Sequence, residues 1–386
     1  MDGSFRIGRL FGIPILIHFT FLLIIPLFAW IIASQITTTT DMIPGFYNFF
    51  FAGIQPIAID TSLITAGPMP YVLGTIVSFG LFGCVLIHEL AHSLIAKRNG
   101  IRINSITLLI FGGVASMEEG LPDPMVELPM ALVGPLTSLL VGLLCSGLVY
   151  IVPLITADPA VGGVLVFIFG YLAILNIILF AFNLLPAFPM DGGRVLRAWL
   201  AKRMPLHRAT RIAADIGKGF AVVFALIGLI PPFNPILILI AFFIYIGASQ
   251  ETTSVKYSVL LQDIRVGNIM SSPVVTVAPA LPVTRVIEMM YATKHLGFPV
   301  VDHDVLMGMV TVADVHKMPS IDRDAKQVRD VMRRGVIAVA PETPVVDVLR
   351  IMGAKDIGRV LVVDKDRLVG IVTRTDILKV VELKEI

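Results

Sequence analysis

One short stretch limits what this chain can become. His88-Glu89-Leu90-Ala91-His92 sits inside residues 79–95, where every other side chain is apolar or small and Glu89 is the only charge. Histidines four apart on a helix stack on one face about one turn apart, which lets both imidazoles reach a single Zn2+. Glu89, one position on from His88, faces the place of a metal-bound water and suits a general base. The pattern is that of a zinc hydrolase, placed where a lipid-facing span is expected.

Composition makes that placement credible. Of the 386 residues 56% are hydrophobic and only 15% are charged, against about 25% charged in soluble globular chains, so most of the chain belongs in a bilayer. The net charge of +2 gives no clustered basic face for nucleic acid, and no nucleic-acid partner is expected. Cys84 and Cys145 fall within apolar runs and cannot supply a disulfide framework. Both read as packing residues, although Cys84, four before His88, shares the face of the histidines.

Hydropathy marks six spans, at 10–34, 71–96, 126–152, 161–182, 212–230 and 234–248, each near the roughly 20 residues needed to cross, the last one short. The first is too long for the apolar core of a signal peptide and lacks a small-residue cleavage pattern, so it reads as retained. Basic residues from Arg6 and Arg9 through Lys97, Arg98 and Arg102 to Arg194, Arg197 and Arg203 all fall on one side of this assignment. The positive-inside rule then makes both termini cytoplasmic in a multi-pass protein of the cell membrane. Residues 35–70 lie outside, and the apolar patch around 46–53, broken by glycine and proline, reads as an interfacial segment. His88 precedes Lys97 by nine residues, which at about 1.5 Å per residue sets it roughly 14 Å inside the boundary.

Residues 101–117 combine β-branched content, early alternation and a Gly112-Gly113 turn, which predicts a β-hairpin. A strand edge beside a protease site can pair with an unwound peptide; the same hairpin also reads as a connector at headgroup level. Two histidines leave a catalytic zinc site one protein ligand short. Asp191 supplies the missing donor: an acid near the end of a span needs a partner, and Pro186, Pro189, Gly192 and Gly193 break the helix there, as backbone lining a watery cavity allows. The competing role for Asp191 is the N-cap of a helix starting near Gly192.

The pairing of HELAH within a span with NLLPAFPMDGGR at 183–194 resembles the site-2 protease family of intramembrane zinc metalloproteases, across residues 1–252. The resemblance implies one zinc per chain held by His88, His92 and Asp191, with Glu89 activating water. It implies Asn183 as a hydrogen-bond donor to the substrate or developing oxyanion, with an interhelical hydrogen bond as the other reading. It also implies cleavage of peptide bonds in or near the membrane spans of single-span protein substrates. Gly134-Pro135-Leu136-Thr137-Ser138 resembles a small-residue patch of the family, for which helix packing is the main role. His18 matches a first-span histidine of the family, either near the metal or a polar contact within the bundle.

Near residue 257 charges become regular and long apolar runs stop. Gly308-Met309-Val310-Thr311-Val312-Ala313-Asp314 aligns with Gly370-Ile371-Val372-Thr373-Arg374-Thr375-Asp376 at an offset of 62 that also relates Pro279 to Pro341 and Asp302 to Asp364. That is an internal duplication. Each copy reads as strand, helix, two strands and helix, with the first strand at 274–277 and the first helix at 283–294. The pair resembles a tandem CBS domain over 262–386, with repeats at about 262–321 and 324–386. The resemblance implies an adenine nucleotide contacted by Thr311 and Thr373 through phosphate and by Asp314 and Asp376 through ribose, and pairing into a homodimer; the alternative is that these residues cap helices. His295, His303 and His316 show no metal-ligand spacing. The expected fold class is a polytopic α-helical membrane protein of about six transmembrane helices with a small β-hairpin region, fused to a soluble α/β tandem CBS domain. The rival function is a CBS-gated transporter or channel, which would need polar residues arranged as a pathway.

Overall fold

The computed structural model describes residues 3–50, 59–109, 112–117, 123–319, 323 and 325–384, in two compact units, Met1–Val255 and Lys256–Ile386. The first opens on a strand hairpin, β1 (Ser4–Leu10) and β2 (Ile13–His18), turned by Phe11 and Gly12 at φ 51° and 83°. β2 then pairs in parallel with β3 (Ile103–Leu109), which pairs antiparallel with β4 (Gly112–Met117), so the sheet order is β1-β2-β3-β4. The expected hairpin is therefore half of a four-stranded sheet, and its turn residues 110–111 lie outside the described residues. Residues 10–18 do not begin the first span as a helix. After the left-handed turn, Ile13 and Ile15 alternate inward and bury against Ile106, a period that only a strand satisfies.

The helices are α1 (Phe19–Ser34), α2 (Ile36–Phe50), α3 (Met69–Arg98), α4 (Pro124–Ile155), α5 (Pro159–Asn183), α6 (Asp191–Ala201), α7 (Leu206–Leu229) and α8 (Pro235–Leu261). Five of them, α3, α4, α5, α7 and α8, are long and apolar enough to cross a membrane; α1 and α2, bent by 77° at their junction, make a sixth if taken as one broken span. α2 falls in the stretch expected to be interfacial, yet it buries Ile43 and Tyr47 against α5; residues 51–58 of that stretch lie outside the described residues. α8 runs thirteen residues past the expected end at 248, because polar Gln250 and Glu251 are adequate helix formers and nothing there breaks the backbone.

Local signals place the helix ends. Asp123-Pro124 and Asp158-Pro159 start α4 and α5, each aspartate accepting a backbone N–H, from Met125 and Ala160 at 2.9 Å, with proline where no donor is needed. α3 ends on Lys97 and Arg98, cations at the negative end of the helix dipole. α1 and α3 meet almost backbone to backbone, since a Cβ on Gly74 would stand 3.0 Å from the Ala29 Cα, as small residues permit in membrane bundles.

The second unit contains α9 (Val283–Thr293), β5 (Gly297–Asp302), β6 (Val305–Thr311), α10 (Val312–His316), α11 (Val328–Val331), β7 (Ala338–Val339), α12 (Val345–Ala354), β8 (Arg359–Asp364), β9 (Arg367–Thr373) and α13 (Arg374–Lys384). Its duplication extends to the interior: Val283, Val286, Phe298, Val300 and Val310 form one core, and Val345, Val348, Val360, Val362 and Val372 the other, the same positions 62 apart. The copies differ in their first strand. Residues 274–277 do not form the expected strand but contribute a single bridge, Val277 to Val300, whereas β7 pairs two residues with β8.

Candidate active site

α3 presents His88 and His92 one turn apart, both buried, with their Nε2 atoms 3.1 Å apart. Asp191 Oδ2 completes the triangle at 3.1 Å from His88 Nε2 and 3.2 Å from His92 Nε2. Asp191 is the first residue of α6, and its side chain caps nothing; Met190 occupies the cap position. The ligand reading of Asp191 and the capping reading thus separate, and the carboxylate goes to the histidines.

α4 orients both rings. His92 Nδ1 lies 2.6 Å from the carbonyl of Met130, which can only accept, so Nδ1 carries the proton and Nε2 keeps its lone pair. His88 Nδ1 lies 2.8 Å from Ser138 Oγ, a hydroxyl that can accept as well as donate, and the tautomer that donates to it turns the His88 Nε2 lone pair inward as well. With both rings in that tautomer three acceptors converge, an arrangement that a cation satisfies. Three donors on a tetrahedral zinc at about 2.0–2.1 Å would stand about 3.3 Å apart, close to the observed triangle. Among the described residues these three are the one group of His, Cys, Asp and Glu close enough to share an ion; Cys84 is not in it. The donor set fits zinc.

The small-residue patch has a larger role than packing. A Cβ on Gly134 would stand 2.7 Å from His88 Nε2 and closer still to His92 Nε2, so only glycine leaves room for the imidazoles. Gly134 and Ser138 repeat on α4 the four-residue spacing of the histidines on α3, the one signal that could have revealed them. Glu89 lies against β4: a Cβ on Gly113 would collide with its side chain, 3.2 Å from the carboxyl carbon. Asn183 is the last residue of α5, and its amide has no hydrogen-bond partner among the described residues. His18 caps α1, its Nδ1 2.8 Å from Thr20 Oγ1, and is not part of the metal group.

A second buried polar cluster has no signature in the local sequence. Arg197 of α6, counted among the headgroup charges from its sequence, is 4% exposed. Its Nε donates to Glu127 Oε1 at 2.9 Å, its Nη2 donates to the same carboxylate, and its Nη1 donates to Glu251 of α8 at 2.5 Å. The guanidinium also lies 4.9 Å from the centroid of the Phe188 ring. Arg197 leaves the surface because α4 and α8 each bring an acid to it, a meeting that no local pattern announces.

In the second unit each threonine and aspartate close a helix start together. Thr311 donates from N and Oγ1 to Asp314 Oδ2 at 3.1 and 2.5 Å, and Thr373 donates to Asp376 Oδ2 at 2.9 and 2.6 Å. The copies part at the other oxygen: Asp314 Oδ1 accepts from Arg333 Nε at 2.6 Å, and the residue 62 before Arg333 is Ser271. Both make the same backbone bridge, Arg333 to Met309 and Ser271 to Ile371. Where the repeats meet, Arg359 Nη1 donates to the carbonyl of Gly297 at 3.2 Å, and burial pushes the Arg359 guanidinium below its ordinary value.

Comparison with known proteins follows the same division. The model of Peptidase family M50 matches residues 76–158 and 145–226, and that of the CBS domain matches 266–319 and 328–383. A zinc metalloprotease of Methanocaldococcus jannaschii is 35% identical over 391 aligned residues, covering 100% of this chain and 99% of that one. Among solved structures, the site-2 protease from Methanocaldococcus jannaschii is 33% identical with a TM-score of 0.41, covering 64% of this chain and 95% of that one. The structure of CBSX2 in complex with AMP is 25% identical with a TM-score of 0.30, covering 32% of this chain and 98% of that one.

Proposed function

We propose, for a chain that belongs to peptidase family M50 and is a multi-pass zinc metalloprotease carrying CBS domains, that His88, His92 and Asp191 hold the zinc and Glu89 is the general base. The observation that carries this is the triangle of His88 Nε2, His92 Nε2 and Asp191 Oδ2, each 3.1–3.2 Å from the others and able to share one ion. Bound zinc supplies an acidified water and polarises a carbonyl. Glu89 takes the proton of the attacking water and delivers it to the leaving amine, a role usually worth about 10²- to 10⁴-fold. Asn183 donates its amide to the carbonyl oxygen as charge develops there.

The family acts on membrane proteins within the bilayer, and we assign single-span proteins as the substrates here. Their helices unwind at the cut and pair with the outer edge of β4, which runs past Glu89. The side on which the basic residues fall supports a cytoplasmic location for both termini and the CBS pair. Residues 1–252 form the protease, and 262–386 bind an adenine nucleotide at Thr311 and Asp314, Thr373 and Asp376, with a homodimer through that pair. No observation favours the transporter reading once the membrane unit belongs to a peptidase family. The deciding experiment is cleavage of a single-span substrate by purified wild type and Glu89→Gln, with zinc content measured in both. Loss of cleavage with zinc retained is expected; cleavage by the variant overturns the assignment of the base.

A further inference from the structure

The site has a joint that the mechanism above does not use. α4 orients both histidines through Met130, Gly134 and Ser138, while the third ligand arrives on α6, a separate helix of eleven residues that begins without a side-chain cap. The approach to it, residues 184–190, is irregular and contains Pro186 and Pro189. Backbone hydrogen bonds anchor the middle of that segment, Phe188 N–H to Ala213 at 3.2 Å and Met190 N–H to Ala187 at 3.1 Å, but none of them ties it to α4, which orients the two imidazoles. The buried fork of Arg197 supplies a tie of that kind. It grips Glu127, three residues before Met130 on the first turn of α4, and it lies over Phe188, three residues before Asp191. One guanidinium thus ties the turn that fixes His92 to the two ends of the segment that delivers Asp191.

We propose that Arg197 is a positioning residue for Asp191, and that Glu251 is the contact through which α8 bears on the same ligand. Glu127 and Arg197 are buried charges, which cost more in desolvation than an apolar pair of the same shape and so are poorly explained as a device for stability alone. A bidentate guanidinium, by contrast, fixes direction as well as distance. The third arm makes the joint adjustable. Glu251 is partly exposed and belongs to the helix that runs on past Lys256, where the second unit begins, to Leu261. A rotation or axial shift of α8 therefore pulls on Arg197 and, through α6, on the geometry of the zinc site.

The inference rests on the reading of Asp191 as a ligand, and the test separates the two. Full-length protein is loaded with zinc, and zinc affinity is measured by chelator competition beside thermal unfolding, for wild type, Asp191→Ala, Arg197→Met with Glu127→Leu, Arg197→Lys, and Glu251→Gln. The double variant removes both fully buried charges, and the carboxylate it leaves without its guanidinium, Glu251, is partly exposed to water. It is expected to unfold cooperatively yet to bind zinc about 10- to 100-fold more weakly, the range for groups that orient metal ligands. Arg197→Lys keeps the charge without the fork and falls between the two, which tests the proposal even if the double variant does not fold. Glu251→Gln gives a smaller loss in the same direction. Wild-type affinity in the double variant or in Arg197→Lys overturns the positioning role, and wild-type affinity in Glu251→Gln overturns the part assigned to α8. Zinc retained by Asp191→Ala overturns the ligand reading instead.

Discussion

The metal site and the helix starts of the CBS pair are built on opposite plans. Thr311 with Asp314, and Thr373 with Asp376, are three apart on one turn and meet whatever surrounds them. The metal site joins α3, α4 and α6, with partners 38 to 103 residues apart in the chain. A local motif can be copied by duplicating a stretch of chain, and here it was, with the same bonds at both positions. A site drawn from three helices cannot be copied without copying the bundle, and it stands or falls with helix placement.

Mutations test that contrast at both places, the largest effect coming from the tightest packing. Gly134→Ala puts a methyl group among both Nε2 atoms, and zinc loss beyond the about 100-fold typical of supporting contacts is expected in metal analysis; normal zinc content would show that α3 and α4 slide apart easily. Ser138→Ala removes the partner of His88 Nδ1 and should weaken zinc about 10-fold by chelator competition, with the fold intact. In the second unit Asp376 keeps one carboxylate oxygen free of protein partners among the described residues, while Arg333 holds the corresponding oxygen of Asp314. Asp376→Ala should therefore cost more AMP affinity in calorimetry than Asp314→Ala, and Arg333→Ala should narrow the gap; equal losses in wild type and variant would make the copies functionally alike. The smallest effect is Thr373→Ala, about 1 kcal/mol of stability in thermal unfolding for a lost helix cap, with zinc binding unchanged.

What could be read in advance divides along the same line. The helix carrying HELAH, the duplication and the paired strands of the stretch 101–117 depend on neighbours in sequence, and the histidine pair, the repeated cores and the β3–β4 ladder appear in the structure. The start of the first span is not legible from hydropathy, which counts apolar residues without regard to period: Ile13, Pro14 and Ile15 are as apolar in β2 as they would be in a helix. Arg197 was misjudged because charge is a property of the residue and burial is a property of the fold: its acids come from Glu127, seventy positions earlier, and Glu251, fifty-four later.

By itself the sequence determined that two histidines share a helical face inside an apolar span, that an acid follows in a broken segment, and that a soluble unit was made by duplication. These are consequences of spacing and composition, which operate within a turn or two of backbone. Tertiary structure alone decided that a carbonyl and a hydroxyl of α4 would meet both imidazoles, that Gly134 would clear the space beside them, and that one buried guanidinium would join α6 to α4 and α8. Those outcomes depend on where helices cross, and crossing is set by side chains that lie far apart in the chain and touch only once it has folded.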